Sequence, residues 1–139
     1  MIRSGIHKWT IQIETLAGSM ALGVASTLFP PDGEEALGCD GGGWALWQNG
    51  ELAHGLVTDE VDLKFGEGSV VSMILDLRQG RGGTLSAFVD DGPVFLLFSD
   101  MLSHLDEDEE DKGFLPAMSM YAQGRIRLLG LHEISSYYR

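Results

Sequence analysis

The residue types that most often carry out chemistry in proteins are present in this sequence, but their spacing forms no known site. Two metal ligands on one face of a strand or helix need an i, i+2 or i, i+4 spacing. No such spacing relates the four histidines, His7, His54, His104 and His132. The single cysteine, Cys39, lies in a glycine-rich stretch and has no indicated histidine partner. We therefore expect no metal, no cofactor, no disulfide and no nucleophilic centre.

Acidic residues offer two further kinds of chemistry. The run from Asp106 to Asp111 lacks the alternating glycine and carbonyl ligands of a calcium loop, and like charges at that density predict a solvated loop. Asp59, Glu60 and Asp62 come nearest to the paired carboxylates of a β-sandwich glycosidase, yet the third acid of that pattern is missing. One of these acids, or Asp76, would support an enzyme only if it were paired in a cleft with a raised pKa. The sequence thus predicts a protein that is not an enzyme.

The overall charge excludes some partners. The 139 residues include 9 Lys and Arg against 21 Asp and Glu, a formal net charge of −12 at pH 7. Such a surface repels nucleic-acid phosphates and anionic lipid headgroups, so we expect a neutral or basic protein or peptide as partner. The sequence has neither a secretion leader nor an apolar run near the roughly 18 residues that span a bilayer. With its single cysteine, it predicts an intracellular protein, cytoplasmic or nuclear.

The elements that must position any site are predicted to be β-strands. The sequence has 19 glycines, which separate short apolar stretches as is typical of an all-β chain. Positions 7–14 alternate between apolar and polar residues, the pattern of a strand with one buried face. The other predicted strands are 20–28, 44–47, 51–55, 70–77, 84–89, 94–98, 115–120 and 125–131. We interpret residues 1–139 as one domain, a two-sheet antiparallel β-sandwich.

Four local patterns refine this interpretation. Asn49-Gly50 predicts a two-residue hairpin turn in which both residues tolerate positive φ. Val70–Leu77 is apolar on both alternating faces, which predicts a central strand between two layers. Only Ser99–Leu105 suggests a helical turn, and Ser135–Arg139 has the composition of a loosely held tail.

Five blocks of the sequence, taken in order, resemble the SPRY domain family. Residues 4–14 (SGIHKWTIQIE) are similar to the family's opening strand, and residues 21–25 (ALGVA) to its "GVA" strand. Residues 38–50 resemble its glycine and tryptophan hairpin segment. Residues 70–88 resemble its "IGVLLD…GTLSFYxNG" pair, and residues 114–119 (FLPAMS) its "LYPAVS" strand.

The resemblance implies a concanavalin-like jelly roll that lacks catalysis and holds a partner protein or short linear peptide on loops at one end. It also fits a substrate-recruiting part of a larger protein. The sequence departs from the family at Ser69 and Ser72, where an aspartate and a glycine are common. Family members also usually have one or two strands before the opening strand. The position of these strands at the sheet edge is filled by residues of a longer protein, by a dimer partner, or not at all. The sequence leaves these three alternatives open.

The resemblance also implies where a partner binds. In family members that carry a SOCS box, the peptide pocket is formed by the loops on either side of the "GVA" strand and by an aromatic beside the "PAVS" strand. Tyr121 stands where the family has tryptophan, so the location of the pocket is expected to carry over but its peptide specificity is not. The positions carried over are Ala17, Gly18, Ser19, Phe29, Pro30, Pro31, Gly33, Tyr121 and Ala122.

Two tryptophans complete the candidate site. Trp44 and Trp47 are three residues apart, so on a strand they face opposite sides of the sheet. One is expected in the core, and Trp47 is a candidate contact because exposed tryptophan often anchors an interface. The leading hypothesis is a protein-interaction module. The alternative is a carbohydrate-binding, lectin-like module in which Trp47 stacks on a sugar ring.

Overall fold

The computed structural model of the chain describes residues 2, 4–26, 37, 43–55, 57–104, 113–120 and 124–134. Within these residues the chain forms ten strands in two five-stranded antiparallel sheets, and one short 3₁₀ turn at Met101–His104. The strands are β1 (Ile6–Leu16), β2 (Met20–Ser26), β3 (Gly43–Trp47), β4 (Glu51–His54), β5 (Val57–Glu60), β6 (Val70–Asp76), β7 (Thr84–Val89), β8 (Phe95–Phe98), β9 (Phe114–Met120) and β10 (Gly124–Ile134). The predicted all-β sandwich is confirmed.

The strand bounds differ from the predicted ones mainly at the ends. The sequence pattern missed β5 altogether, because its four residues are too few to show a period. Several predictions fall outside the described residues. They are the end of the second strand at residues 27–28, the turn at Pro30–Gly33, Cys39, the acidic run Asp106–Asp111 and the tail Ser135–Arg139.

The core lies between the two sheets. One sheet has the strand order β10-β1-β6-β7-β8 and the other β5-β4-β3-β2-β9. Trp9 and Ile13 of β1 are 1% and 0% exposed, and Leu22 and Val24 of β2 are fully buried in the same cluster. Burying an aliphatic side chain such as Ile13 contributes about 1.5–3 kcal/mol, so the alternation along β1 accounts for its place in the sandwich.

Strand β6 occupies the middle of its sheet, as its apolar pattern predicted. Met73 and Leu75 face the core and are fully buried. On the other face, the hydroxyls of Ser72 and Thr10 are 3.0 Å apart in a hydrogen bond, and Ile74 is only partly buried. On this outer face Ser72 is 4% exposed whereas Ile74 is partly exposed, so within the described residues the expected burial on both faces is complete only on the inner face.

The outer face of the second sheet is lined with small residues and is nevertheless buried. Ala21, Ala25 and Ala45 pack with Leu37, which belongs to the connection between β2 and β3 and is 1% exposed. The Leu37 N–H donates to Ser119 Oγ at 2.7 Å, which fixes this residue over β9. Small side chains on the sheet leave room for Leu37 to lie flat against it.

Candidate functional site

The strand register brings three connections to one end of the sandwich. Met20, where β2 begins, lies opposite Met120, where β9 ends. Leu16 at the end of β1 pairs with Gly124 at the start of β10. Ala21 pairs with Trp47, the last residue of β3. The β1–β2 turn, the β3–β4 turn and the connection from β9 to β10 therefore start and end at the same end, which we call the Trp47 end.

A shallow depression of about 300 Å³ lies at the Trp47 end. Its wall combines Ser19 of the β1–β2 turn with Trp47 and the β3–β4 turn; the lining residues are Ser19, Trp47, Gln48, Asn49 and Glu51. Gln48 holds the two turns together, because its Oε1 accepts the Met20 N–H at 2.6 Å and its own N–H donates to the Met20 carbonyl at 3.1 Å. The two walls are thus fixed relative to each other by one backbone hydrogen bond and by one from the Met20 N–H to the Gln48 side chain.

The two tryptophans of β3 face opposite sides, as predicted. Trp44 is 1% exposed in the core, whereas Trp47 is half-buried on the outer face and packs against the cluster of Ala21, Ala45 and Leu37. Trp47 therefore lines the depression while part of its side chain is packed against this cluster. A tryptophan in this state loses little conformational freedom on contact with a ligand.

The β3–β4 turn differs from the predicted two-residue hairpin. The Gly50 N–H donates to the Trp47 carbonyl, and Gly50 alone in this turn has a positive φ, 96°. This is a three-residue loop with glycine in the left-handed position. A Cβ on Gly50 would lie 2.3 Å from the Val61 carbonyl oxygen, so the residue must be glycine for a second reason. That close approach brings the segment after β5 against the depression.

An acidic rim borders the depression. Glu51 and Glu60 lie directly opposite each other on β4 and β5. Two further surface hollows share Glu51. One of about 520 Å³ is lined by Asn49, Glu51, Glu60, Val61, Asp62 and Lys64, and one of about 390 Å³ by Glu51, Thr58, Asp59 and Glu60. Like charges directly opposite on neighbouring strands repel, so this rim favours cations.

Four of the ten predicted site residues lie at the Trp47 end. Ala17 and Ser19 are exposed, Gly18 is half-buried, and Trp47 shares the depression with Ser19. The other six predicted residues lie outside the described part of the chain: Phe29, Pro30, Pro31, Gly33, Tyr121 and Ala122.

Sequence reasoning missed the role of Glu51 and of β5 in this surface. The sequence pattern presents Asp59, Glu60 and Asp62 only as candidate catalytic acids; in the structure all three are exposed, Asp59 and Glu60 on the edge strand β5 and Asp62 just after it. The available signal was the pair of β-branched residues Val57-Thr58 after Gly55, which favours a returning edge strand.

Asp76, the remaining acid considered for catalysis, is bound in an ion pair. Arg78 donates to both carboxylate oxygens, with Nη2 2.7 Å from Oδ2. The hydrogen bonds from the Arg78 side chain lower the pKa of Asp76 against the opposing effect of burial. A general acid needs the opposite shift, so Asp76 does not meet the condition set for an enzyme. Within the described residues, no group of three or more metal-binding side chains is placed to hold an ion.

Replacing Asp76 by asparagine is expected to lower stability in a pH-dependent way. Because the pKa of Asp76 is lower in the folded state, its contribution is present above the unfolded-state value of about 3.9 and is lost as the pH falls through the folded-state value. The urea midpoints of Asp76→Asn and wild type should differ at pH 7, begin to converge below about pH 3.9, and meet only below the lowered folded-state pKa of Asp76. Asp91→Asn, at an exposed turn position, serves as the control. A difference that persists unchanged at low pH would contradict the assignment.

These observations define a class of protein: an antiparallel two-sheet β-sandwich with a structured hollow between turns at one end. The family model of the SPRY domain matches residues 6–130. The chain therefore belongs to the SPRY domain family, whose members are in general protein-interaction modules.

The fold is also that of a solved SPRY structure. The chain is similar to the SPRY domain of human HERC1, with a TM-score of 0.64 and 18% sequence identity, over 91% of this chain and 76% of that chain. A comparison with curated proteins gives no match. No helix in the described part of the chain has the length and apolar character needed to cross a membrane.

Proposed function

We propose that this domain is a non-catalytic interaction module that binds a short extended peptide, or an exposed segment of a partner protein, at the Trp47 end. One observation carries the proposal. Ser19 and Trp47 are 28 positions apart in the chain and were predicted as contacts separately, and they line the same depression. A half-buried tryptophan beside a polar turn is typical of the anchor residues of protein interfaces.

The charge of this surface supports a neutral or basic ligand. Four carboxylates surround the hollows, those of Glu51, Asp59, Glu60 and Asp62, against a single lysine, Lys64. A ligand lysine or arginine placed between Glu51 and Glu60 would relieve their repulsion, whereas an acidic ligand would increase it. Binding therefore weakens as salt is added, because these carboxylates are exposed and screened.

The remaining proposed contacts belong to two chain connections and are retained from the family resemblance. Tyr121 and Ala122 directly follow Met120, which lies at the Trp47 end, so we retain them as proposed contacts. Phe29, Pro30, Pro31 and Gly33 belong to the connection that leaves β2 at Ser26 and enters β3 at Gly43, both at the end opposite Trp47, so they remain predictions from the family resemblance. No observation favours the carbohydrate-binding alternative. The intracellular location and a substrate-recruiting role remain predictions.

A peptide-display experiment tests the proposal. A random peptide library is selected on the immobilised domain, and an enriched peptide is then titrated by calorimetry against wild type and variants. Trp47→Ala is expected to weaken binding about tenfold or more, as for an interface anchor. Glu51→Gln should weaken it less and reduce its salt dependence. Tyr121→Ala is expected to weaken binding without unfolding the domain.

The matched control is Gln79→Ala, an exposed residue in the β6–β7 turn at the opposite end of the sandwich. It should leave the affinity unchanged. Circular dichroism of every variant confirms that the domain remains folded. If the selected peptide binds Trp47→Ala and wild type equally well, the site is elsewhere. If no peptide is enriched, peptide recognition is rejected, and a folded-protein epitope, a sugar or a structural role is favoured instead.

A further inference from the structure

The depression at the Trp47 end places an aromatic side chain and a carboxylate in one hollow. Of its five lining residues, Ser19, Gln48 and Asn49 are neutral and polar. Trp47 is aromatic, and Glu51 alone carries a charge. A ligand side chain that fills the depression therefore meets an indole and an anion together, and this combination restricts which side chain fits.

The carboxylate of Glu51 has no cationic partner among the described residues. The ion pairs found in that part of the chain are those of Asp76 and Glu14, and neither includes Glu51 or Glu60. Lys64 lines the neighbouring hollow with Glu51 and Glu60, yet no described ion pair joins it to either. Because Glu51 and Glu60 lie directly opposite each other with like charge, a cation supplied by a ligand stabilises both.

Two hydrogen bonds hold the polar wall of the depression in place. Gln48 Oε1 accepts the Met20 N–H at 2.6 Å, and Asn49 Oδ1 accepts the Glu51 N–H at 3.1 Å. The second bond also fixes the backbone from which the Glu51 side chain extends. Since both amide oxygens already have a donor, the Glu51 carboxylate is the strongest acceptor that the depression offers to a ligand. A wall fixed before the ligand binds lowers the entropic cost of binding.

We propose that the ligand residue seated in the depression is an arginine, an assignment that rests on the proposed function of the Trp47 end. A guanidinium is flat, so it stacks on an aromatic ring while its N–H groups donate in their own plane to a carboxylate. Trp47 and Glu51 supply these two groups in one hollow. A lysine ammonium is compact and strongly hydrated, so it gains less from the indole. Citrulline has nearly the shape of arginine without its charge, so it gains less from Glu51.

Three capped pentapeptides, Ala-Ala-X-Ala-Ala with arginine, lysine or citrulline at X, test this assignment. Each is titrated into the ¹⁵N-labelled domain, and the indole N–H resonances of its three tryptophans are followed by NMR. Trp47→Phe identifies the resonance of Trp47. The arginine peptide should shift that resonance and bind about tenfold more tightly than the citrulline peptide, because only arginine forms a charge-assisted hydrogen bond with Glu51. The lysine peptide should bind with intermediate affinity.

Glu51→Gln should remove the preference for arginine over citrulline. The matched control is Asp100→Asn, which changes an exposed acid beside Gly82 of the β6–β7 turn, at the opposite end, and should retain the preference. Equal binding of the arginine peptide and either other peptide would overturn the assignment. So would an unmoved Trp47 resonance, or a preference that survives Glu51→Gln. A library-selected peptide without arginine that loses affinity in Trp47→Ala would reject arginine and leave the proposed function standing.

Discussion

Replacing Gly23 by alanine is expected to unfold the domain or nearly so. Gly23 lies in the middle of β2, opposite Ala45 on β3. A Cβ built on it would lie 1.8 Å from the Trp44 carbonyl oxygen and 2.9 Å from its carbon. These atoms are backbone, so no side-chain rotation relieves the overlap and the two central strands must separate. We expect a loss of about 4 kcal/mol or more, which is comparable with the whole stability of many domains.

Urea denaturation followed by far-UV circular dichroism measures this loss. Gly66→Ala is the matched control, because a Cβ at Gly66 meets no atom within 4 Å and its φ is not positive. That variant should be as stable as wild type or slightly more so, since alanine restricts the unfolded chain. Equal midpoints for Gly23→Ala and Gly66→Ala would show that β2 and β3 are not as closely spaced as the structure has them.

The same contact gives a physical reason for one of the sequence blocks. Residues 21–25 resembled the "GVA" strand of the family, and Gly23 is the glycine of that block. A glycine in the middle of a strand normally weakens it, so pattern analysis alone counts it as a defect. The structure shows that a neighbouring backbone occupies the space of its side chain. Such a constraint depends on the spacing between two strands. It cannot be predicted from the sequence of either strand alone.

The parts of the fold that depend on local pattern could be predicted from the sequence. The alternation of positions 7–14 located β1, and the apolar run at Val70 located the central strand β6. The turn geometry at Gly50 was predicted less well, because a three-residue loop and a two-residue hairpin share the same residues. Pro116 carried a signal that was not used: proline within a strand indicates an edge, where β9 lies.

The candidate site depends on register, which the sequence does not encode locally. Ser19 and Trp47 meet because Met20 pairs with Gln48 through two hydrogen bonds, and Glu51 faces Glu60 because β4 and β5 form a hairpin. A shift of one residue in either pairing would send these side chains to the other face of the sheet. The family resemblance predicted Ser19 as a contact, and the structure places it beside Trp47, but the resemblance gave no information about the acidic rim.

Replacing Trp44 by alanine is expected to cost about 3–5 kcal/mol, the usual range for a buried aromatic residue. The Trp44 ring is 1% exposed, stacks on His54 with ring centroids 4.3 Å apart, and meets the edge of Phe114 at 5.4 Å. His54 is itself fixed to the Gly43 carbonyl through Nδ1 at 2.8 Å. Removing the indole therefore leaves a cavity between β3, β4 and β9 that these neighbours cannot fill without breaking other contacts.

Trp47→Ala provides the comparison that makes this prediction specific. Both tryptophans belong to the same five-residue strand, but Trp47 is half-buried on the outer face. Its replacement should cost about 1 kcal/mol, the centre of the range for point mutants, and should leave the domain folded for the binding experiment. Urea midpoints are read from far-UV circular dichroism, because each variant removes a fluorophore. Similar losses for the two variants would contradict the assignment of Trp44 to the core and Trp47 to the binding surface.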